Sequence, residues 1–269
     1  MHAFTAHFAF ELRTGIRNKN LLLMNYLFPL GLYLMMGFIM PGINPLFRDV
    51  IIPGMVAFAV LAATLLGMPD PLVNARESGI FRSYKINGVP ALSLISMPAL
   101  TTILHLAVVV GLITLTAPVL FDAPLPIHWG YFVLVFLLMA YSCAGLGALI
   151  GVIAPSTRMT VLYSQVLFIP SMILGGVMLP YDMLPETAVP FAQLLPTTHA
   201  MNAFRSLAMG GTADFNPLWS LLALFVSGSF AFALAWYLFS WDRHNNGRRG
   251  HPALALLALL PFVIGIFIV

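Results

Sequence analysis

The sequence predicts an all-α, polytopic membrane protein. It has six transmembrane helices and a candidate seventh, an N-terminal amphipathic helix at the interface, and an outer re-entrant helical pair. Three observations carry this reading. Hydrophobic residues make up 60% of the 269 positions and charged residues only 8%, against roughly 25% charged in a soluble domain. The apolar residues gather in runs of about 20, the length at which a helix crosses a hydrocarbon core of about 30 Å with its backbone hydrogen bonds satisfied internally. The basic residues then fall almost entirely between alternate runs.

The elements follow in order. Over Met1–Asn20, Phe4, Phe8, Leu12 and Ile16 recur every four positions while Arg13 and Arg17 project to another side. That is the pattern of a helix lying on a membrane surface. The first long apolar run begins only after Lys19 and lacks a small-residue cleavage pattern, so it does not read as a removable signal peptide. The six spans are Leu21–Met40, Val50–Met68, Leu92–Phe121, Tyr131–Ala154, Met159–Leu179 and Pro217–Trp241. Interior prolines such as Pro29, Pro53 and Pro170 are commoner in spanning helices than in soluble ones. In the fourth span Gly145, Gly147 and Gly151, with Ala144 and Ala148, make a small-residue face, and Gly147 and Gly151 form a Gly-x-x-x-Gly pair suited to close helix packing. A glycine-rich nucleotide loop does not fit there, because the spacing differs and no strand precedes it.

Orientation follows from the cations. With the N-terminus in the cytoplasm, that side holds Arg13, Arg17, Lys19, Arg76, Arg82, Lys85, Arg158, Arg243, Arg248 and Arg249, ten of the twelve Lys and Arg residues. Arg48 and Arg205 fall outside. The outer connection Pro180–Asn216 is long yet apolar. Its halves Met183–Leu195 and His199–Met209 are too short to span and read as the re-entrant pair. Pro252–Val269 is uncharged and of marginal spanning length. It reads either as a seventh span or as an interfacial segment. Three regions result: 1–20, the surface helix; 21–241, the transmembrane domain; and 242–269, a basic loop with an apolar end.

Function-bearing candidates are few. The loop Pro69–Pro90 holds Asp70, Arg76, Glu77, Arg82 and Lys85, and is longer than a connection between two spans requires. Ile80, Phe81 and Tyr84 stand at helical spacing and would present an apolar ridge to a partner. Gly79 reads as a point of close backbone approach. The alternative is a solvated loop whose cations only enforce topology. Asn25, His105 and Gln165 are polar residues within spans, so they are candidates for a translocation path or for interhelical hydrogen bonds. Asp182, Glu186 and His199 share the outer region, as a cation site or as ordinary solvated side chains. The seven histidines are scattered, no His-Glu-x-x-His motif occurs, and no catalytic or metal-ligating residues are assigned. The lone Cys143 excludes an intrachain disulfide.

Three stretches carry a family resemblance. Arg76-Glu77-Ser-Gly79-Ile-Phe-Arg-Ser, closing with Pro90, resembles the Arg-Glu-x-Gly motif of the ABC-2 type family of ABC-transporter permeases. Gly175-Gly-Val-Met-Leu-Pro180, followed by Met183-Leu-Pro-Glu186, is similar to the family at the outer end of the fifth span. Leu195-Pro-Thr-Thr-His running on to Arg205 and Gly210-Gly211 is similar to its Leu-Pro-x-Thr…Arg…Gly-Gly signature. The resemblance covers roughly Leu21 to Trp241, and the apolar C-terminus departs from it.

It implies a cytoplasmic coupling helix over about 75–88, with Arg76, Glu77, Gly79, Ile80, Phe81, Arg82 and Tyr84 facing an ATPase partner. It implies the membrane-spanning permease subunit of an ATP-driven exporter in a bacterial inner or plasma membrane, moving an amphipathic or hydrophobic cargo. A second permease subunit, identical or related, would enclose the path within the lipid, with no nucleic acid involved. A phosphate-binding loop needs a Gly-Lys pair, and the only lysines follow Asn18 and Tyr84. The cofactors, ATP and Mg, are therefore expected on separate cytoplasmic ATP-binding subunits. The rival readings are a membrane enzyme using Asp182, Glu186 and His199, and a self-sufficient channel or secondary transporter using His105. The topology predicts that cysteines introduced as Ser78→Cys and Asn246→Cys stay unlabelled by an impermeant thiol reagent in intact cells, whereas Asp122→Cys reacts; labelling of position 78 from outside contradicts the arrangement.

Overall fold

The computed structural model describes residues 18–45, 47–242 and 250–268. Most of the expected surface helix over 1–20, together with Arg13, Arg17, Arg243, Arg248 and Arg249, lies outside the described residues. Among those described, every regular element is helical.

Helix α1, Lys19–Ile43, is capped by Asn18, whose Oδ1 accepts from the amides of Asn20 (3.0 Å) and Leu21 (3.3 Å). It widens into a π turn at Leu23–Leu27. Helix α2, Phe47–Glu77, also carries a π turn, at Ala62–Gly67. The sequence reading ended this span at Met68, with a loop from Pro69. Instead the chain stays helical through Pro69–Glu77. A proline costs a helix its i−4 hydrogen bond, and the π turn just before Pro69 has already shifted that ladder. After the short α3, Ile80–Ile86, come α4, Ala91–Phe121, and α5, Trp129–Ile153.

Helix α6, Thr157–Leu174, starts on Ser156, whose Oγ accepts from the Met159 amide (3.4 Å). It stops at Leu174 rather than Leu179, because Gly175 and Gly176 turn the chain and Gly176 takes a φ of 81°. The outer pair is uneven. Its first limb is only a 3-10 turn, Tyr181–Met183, and a five-residue helix, α7, Val189–Gln193, interrupted by Pro185 and Pro190. Its second limb begins at Pro196, earlier than expected. Here α8, Pro196–Ala203, has every residue buried and runs on through a π turn at Phe204–Ala208. Helix α9 is Pro217–Leu238.

Among the described residues, five helices are long and apolar enough to cross a membrane: α1, α2, α4, α5 and α9. Helix α6 and the apolar segment Pro252–Phe267 fall outside that group. The latter is a 3-10 helix, Pro252–Leu259, followed by α10, Leu260–Ile268. It runs antiparallel to α9 along that helix's length: a Cβ on Gly250 would meet Tyr237 and Leu238, and one on Gly265 would meet Trp219.

Helices α2 and α5 form the centre, and the outward sides of α1, α4 and α9 carry exposed residues such as Phe38, Leu115, Val119 and Phe225. Glycines set the spacing at the centre. A Cβ on Gly147 would lie 2.2 Å from the Thr64 carbonyl oxygen, in the π turn of α2, and one on Gly151 would lie 3.1 Å from that of Pro69. Gly145 turns the other way, with a Cβ position 3.0 Å from the Gly228 carbonyl of α9. Two tyrosines tie α1 to α4: Tyr26 Oη bonds His105 Nδ1 (2.7 Å) and Tyr33 Oη bonds Thr116 Oγ1 (2.8 Å).

Because the obstacle at Gly147 is backbone, Gly147→Ala should force α5 from α2 and cost about 2 kcal/mol or more. Gly111→Ala, where an added Cβ meets nothing within 4 Å, should be neutral or stabilising by up to about 1 kcal/mol. Detergent-unfolding titrations of the two variants measure the contrast.

Candidate functional site

The segment between α2 and α4 is an elbow rather than one continuous helix over 75–88. Helix α2 ends at Glu77, Ser78 closes it with its amide on the Asn74 carbonyl (2.9 Å), and α3 starts after Gly79. Gly79 sits at φ 76°, ψ 8°, a left-handed conformation that costs other L-residues about 1–2 kcal/mol. Nothing lies within 4 Å of a Cβ placed there. The glycine therefore serves the bend and not a close approach. Gly88, at φ 73°, ends α3 in the same way, with the Val89 amide on the Tyr84 carbonyl (3.0 Å).

The elbow's inner face is locked to two other helices. Arg76 is 6% exposed. Its Nη1 donates to the Val152 carbonyl (2.7 Å) and its Nη2 to that of Ala154. Those are among the last carbonyls of α5, which have no partner within their own helix. A guanidinium both satisfies them and sits at the negative end of the helix dipole. The approach of α5 at Gly147 and Gly151 brings these carbonyls within reach. Phe81 is buried against Phe239, just past α9, with ring centroids 5.3 Å apart. Arg82 Nε donates to Asp242 Oδ2 (2.9 Å). Glu77, Ser83, Lys85 and Ile86 are exposed, Ile86 to 85%.

The expected apolar ridge is thus divided. Phe81 points inward, Tyr84 is half-buried and Ile80 is 47% exposed. Arg76, expected on the partner side, turns inward to α5. The sequence cue for this was available only in part: an arginine at the end of one span and an Ala154-Pro155 stop at the end of another, with nothing in the chain order to pair them.

The intramembrane polar candidates divide as well. Asn25 and His105 line one cavity of about 300 Å³, walled by α1, α2, α3 and α4. Gln165 lines another, a cleft of about 820 Å³ among α1, α2 and α6, with Asp70, Asn74, Glu77 and Ser164. Asn18 borders both.

At the far end of the helices a cavity of about 530 Å³ is lined by Asp49, Tyr181, Asp182, Asn202, Arg205 and Asp214 among others. Arg205 Nη1 bonds Asp214 Oδ2 (3.1 Å). Burial, with Asp182 nearby, pushes the Asp214 carboxyl above its usual range, while Arg205 pulls it back. Asn202 holds this loop in place, donating to the Phe215 carbonyl (2.9 Å) and accepting from the Asp214 amide (2.8 Å). Sequence reasoning passed over Asn202, one amide among several.

His199 does not join Asp182 there. It is buried, 2.9 Å through Nε2 from the Gln193 carbonyl and stacked on Phe262 of α10 at 5.0 Å. Burial pushes its pKa down to about 4. The imidazole is neutral and Nε2–H donates to the carbonyl. Glu186 is exposed and absent from the cavity lining. No group of three or more His, Cys, Asp or Glu side chains among the described residues is arranged to hold a metal. The expected trio is not assembled into a site.

Glycine-spaced apolar helices, a polar elbow at one end and a buried, partly irregular helical pair at the other define a multi-pass helical membrane protein. The chain belongs to the ABC-2 type transporter family, which it matches over residues 2–209. It is 26% identical to the ABC transporter G family member 20 of Dictyostelium discoideum over 200 residues, which make up 73% of this chain and 26% of the relative. The chain thus spans about a quarter of that relative's length. No solved structure matches it.

Arg76→Ala removes two charge-assisted bonds to buried carbonyls and should destabilise the purified chain by about 3 kcal/mol. Lys85→Ala, on the exposed side, should change stability by less than about 0.5 kcal/mol. Thermal unfolding followed by size-exclusion recovery separates the two.

Proposed function

We propose that this chain is the membrane-spanning permease subunit of an ATP-driven exporter, and that the elbow at Gly79 receives the force of ATP hydrolysis. One observation carries the reading: the elbow's inner face is joined to the ends of α5 and α9, through Arg76 and Phe81, while its outer face presents Glu77, Lys85 and Ile86. A push on the outer face is passed directly to two helices, one of them central. A solvated loop that only enforces topology needs no such attachment. Family membership and the name of the Dictyostelium relative support the same direction.

In this reading the elbow end is cytoplasmic, and the chain lies in a bacterial inner or plasma membrane. ATP and Mg are held by cytoplasmic ATP-binding subunits, since these 269 residues contain no Gly-Lys pair. A second permease subunit, identical or related, completes the path. Helix α6 is the sixth crossing. The C-terminal segment is a seventh: eight 3-10 residues at about 2.0 Å and nine α residues at about 1.5 Å reach about 30 Å, a hydrocarbon thickness. The cleft beside Gln165, polar at its rim and walled by Leu21, Met24, Leu66 and Val161, suits an amphipathic cargo. A membrane enzyme is disfavoured because His199 is sealed away from Asp182.

Glu77→Lys should lower partner-stimulated ATPase activity and transport roughly tenfold by setting like charge against the partner contact. Arg158→Glu, in the exposed first turn of α6 at this end, should change either activity by less than about twofold. Equal activity of both variants at equal expression removes the support for the elbow as the contact.

A further inference from the structure

We propose that the cavity beneath the elbow is a binding site for a neutral amphiphile with a hydroxyl head, distinct from the cleft that holds Gln165. The cavity, about 300 Å³, lies where the first turns of α1 and α4 meet the end of α2 and the inner face of α3. Two of its wall residues are buried polar side chains with an unsatisfied atom. Asn25 is 2% exposed and its Oδ1 has no partner; His105 is 7% exposed and its Nε2 has none. Buried polar atoms in folded chains are nearly always hydrogen-bonded to protein or ordered water, so two orphans on residues that line the same cavity point to an occupant of it.

The chemistry of the two orphans selects the head group. Asn25 sits in the π turn of α1, and π turns inside helices gather at functional sites. Its Oδ1 accepts only. His105 Nδ1 is engaged by Tyr26 Oη at 2.7 Å; when the tyrosine donates, Nε2 carries the proton and donates. A ligand head that serves both must donate and accept. A hydroxyl does so when the tyrosine donates. A carboxylate only accepts and a quaternary ammonium does neither, and each brings an uncompensated charge into an apolar space.

The remaining wall selects the body. Leu21, Met68, Leu72, Phe81, Leu94 and Pro98 make most of it apolar, beside the polar Asn18, Tyr84, Thr101 and Thr102. Water needs two to four polar partners and leaves apolar space dry, whereas an apolar cavity of about 150 Å³ takes a ring the size of benzene. Twice that volume takes a medium hydrocarbon chain. Because Ile80 and Phe81 form part of the wall, an occupant props the elbow against α1 and α4. The site itself does not depend on the elbow's contact with an ATPase.

The test is photolabelling of the full chain alone, in phosphatidylcholine nanodiscs, with a diazirine-bearing octanol mapped by mass spectrometry. Adducts should concentrate on Tyr84 and Leu94, which line this cavity and not the cleft, at least about fivefold above those on exposed Leu112 and Leu115. Excess 1-octanol should remove them; octanoate and octyltrimethylammonium should not. His105→Phe, which deletes the polar head, and Thr102→Leu, which fills the space, should each lower cavity labelling about fivefold and leave Leu112 labelling as it was. Where a variant does not elute as a single species, competition on the unsubstituted chain decides. Labelling no denser than at Leu112, or insensitive to 1-octanol, overturns the site. So does competition by all three octyl compounds alike, and so does a cavity that holds water alone and takes no label. Mass spectrometry of the chain as first extracted then tells a lipid hydroxyl, retained as added mass, from a free alcohol that enters only when supplied.

Discussion

The structure depends on how closely α5 approaches α2. In lipid, helices gain little from burying apolar surface against each other, so close van der Waals contact holds them together. Gly147 supplies it by bringing the α5 backbone against the Thr64 carbonyl, with no room for a single methyl group. Gly145 does the same toward α9 from the opposite side. With both faces of α5 used at backbone distance, the helix has no freedom to shift alone. Its C-terminal carbonyls are then fixed beside Arg76, and the elbow inherits its position from that contact.

The elbow shows how one charged motif serves two purposes. Arg76 and Glu77 are neighbours in sequence, yet one is buried on α5 and the other is exposed. A buried guanidinium is tolerated because two carbonyls at a helix end need donors, and the helix dipole favours a cation there. The left-handed Gly79 then reverses the chain direction without strain, so that Phe81 returns to the protein and Ile86 does not. The elbow is thus attached to the protein on one side and exposed on the other.

Polar groups inside the helices follow a related economy. Tyr26–His105 and Tyr33–Thr116 join α1 to α4, each hydroxyl finding a partner where water is absent. Thr64, Thr101 and Thr114 bond back to carbonyls of their own helices. Of the eight buried side-chain atoms without a partner among the described residues, those of Asn25 and His105 stand out because both residues line one cavity. So does the contrast between the two histidines: His105 borders a cavity, while His199 is enclosed by Gln193, Phe215 and Phe262.

Much of the architecture was legible in the amino-acid order. Hydropathy placed α1, α4, α5 and α9 to within a few residues, because a lipid solvent permits only long, internally bonded helices. The glycine spacing marked α5 as the helix others approach. Only the tertiary structure decided the continuation of α2 past Pro69, the early end of α6 and the shortened outer limb, since each depends on π turns or glycine dihedrals that hydropathy does not encode. It alone decided the partners of Arg76, Phe81 and His199. Their contacts join residues 76 to 154, 81 to 239 and 199 to 262, separations over which chain order carries no pairing information. What brings them together is the backbone packing of α5 against α2 and α9.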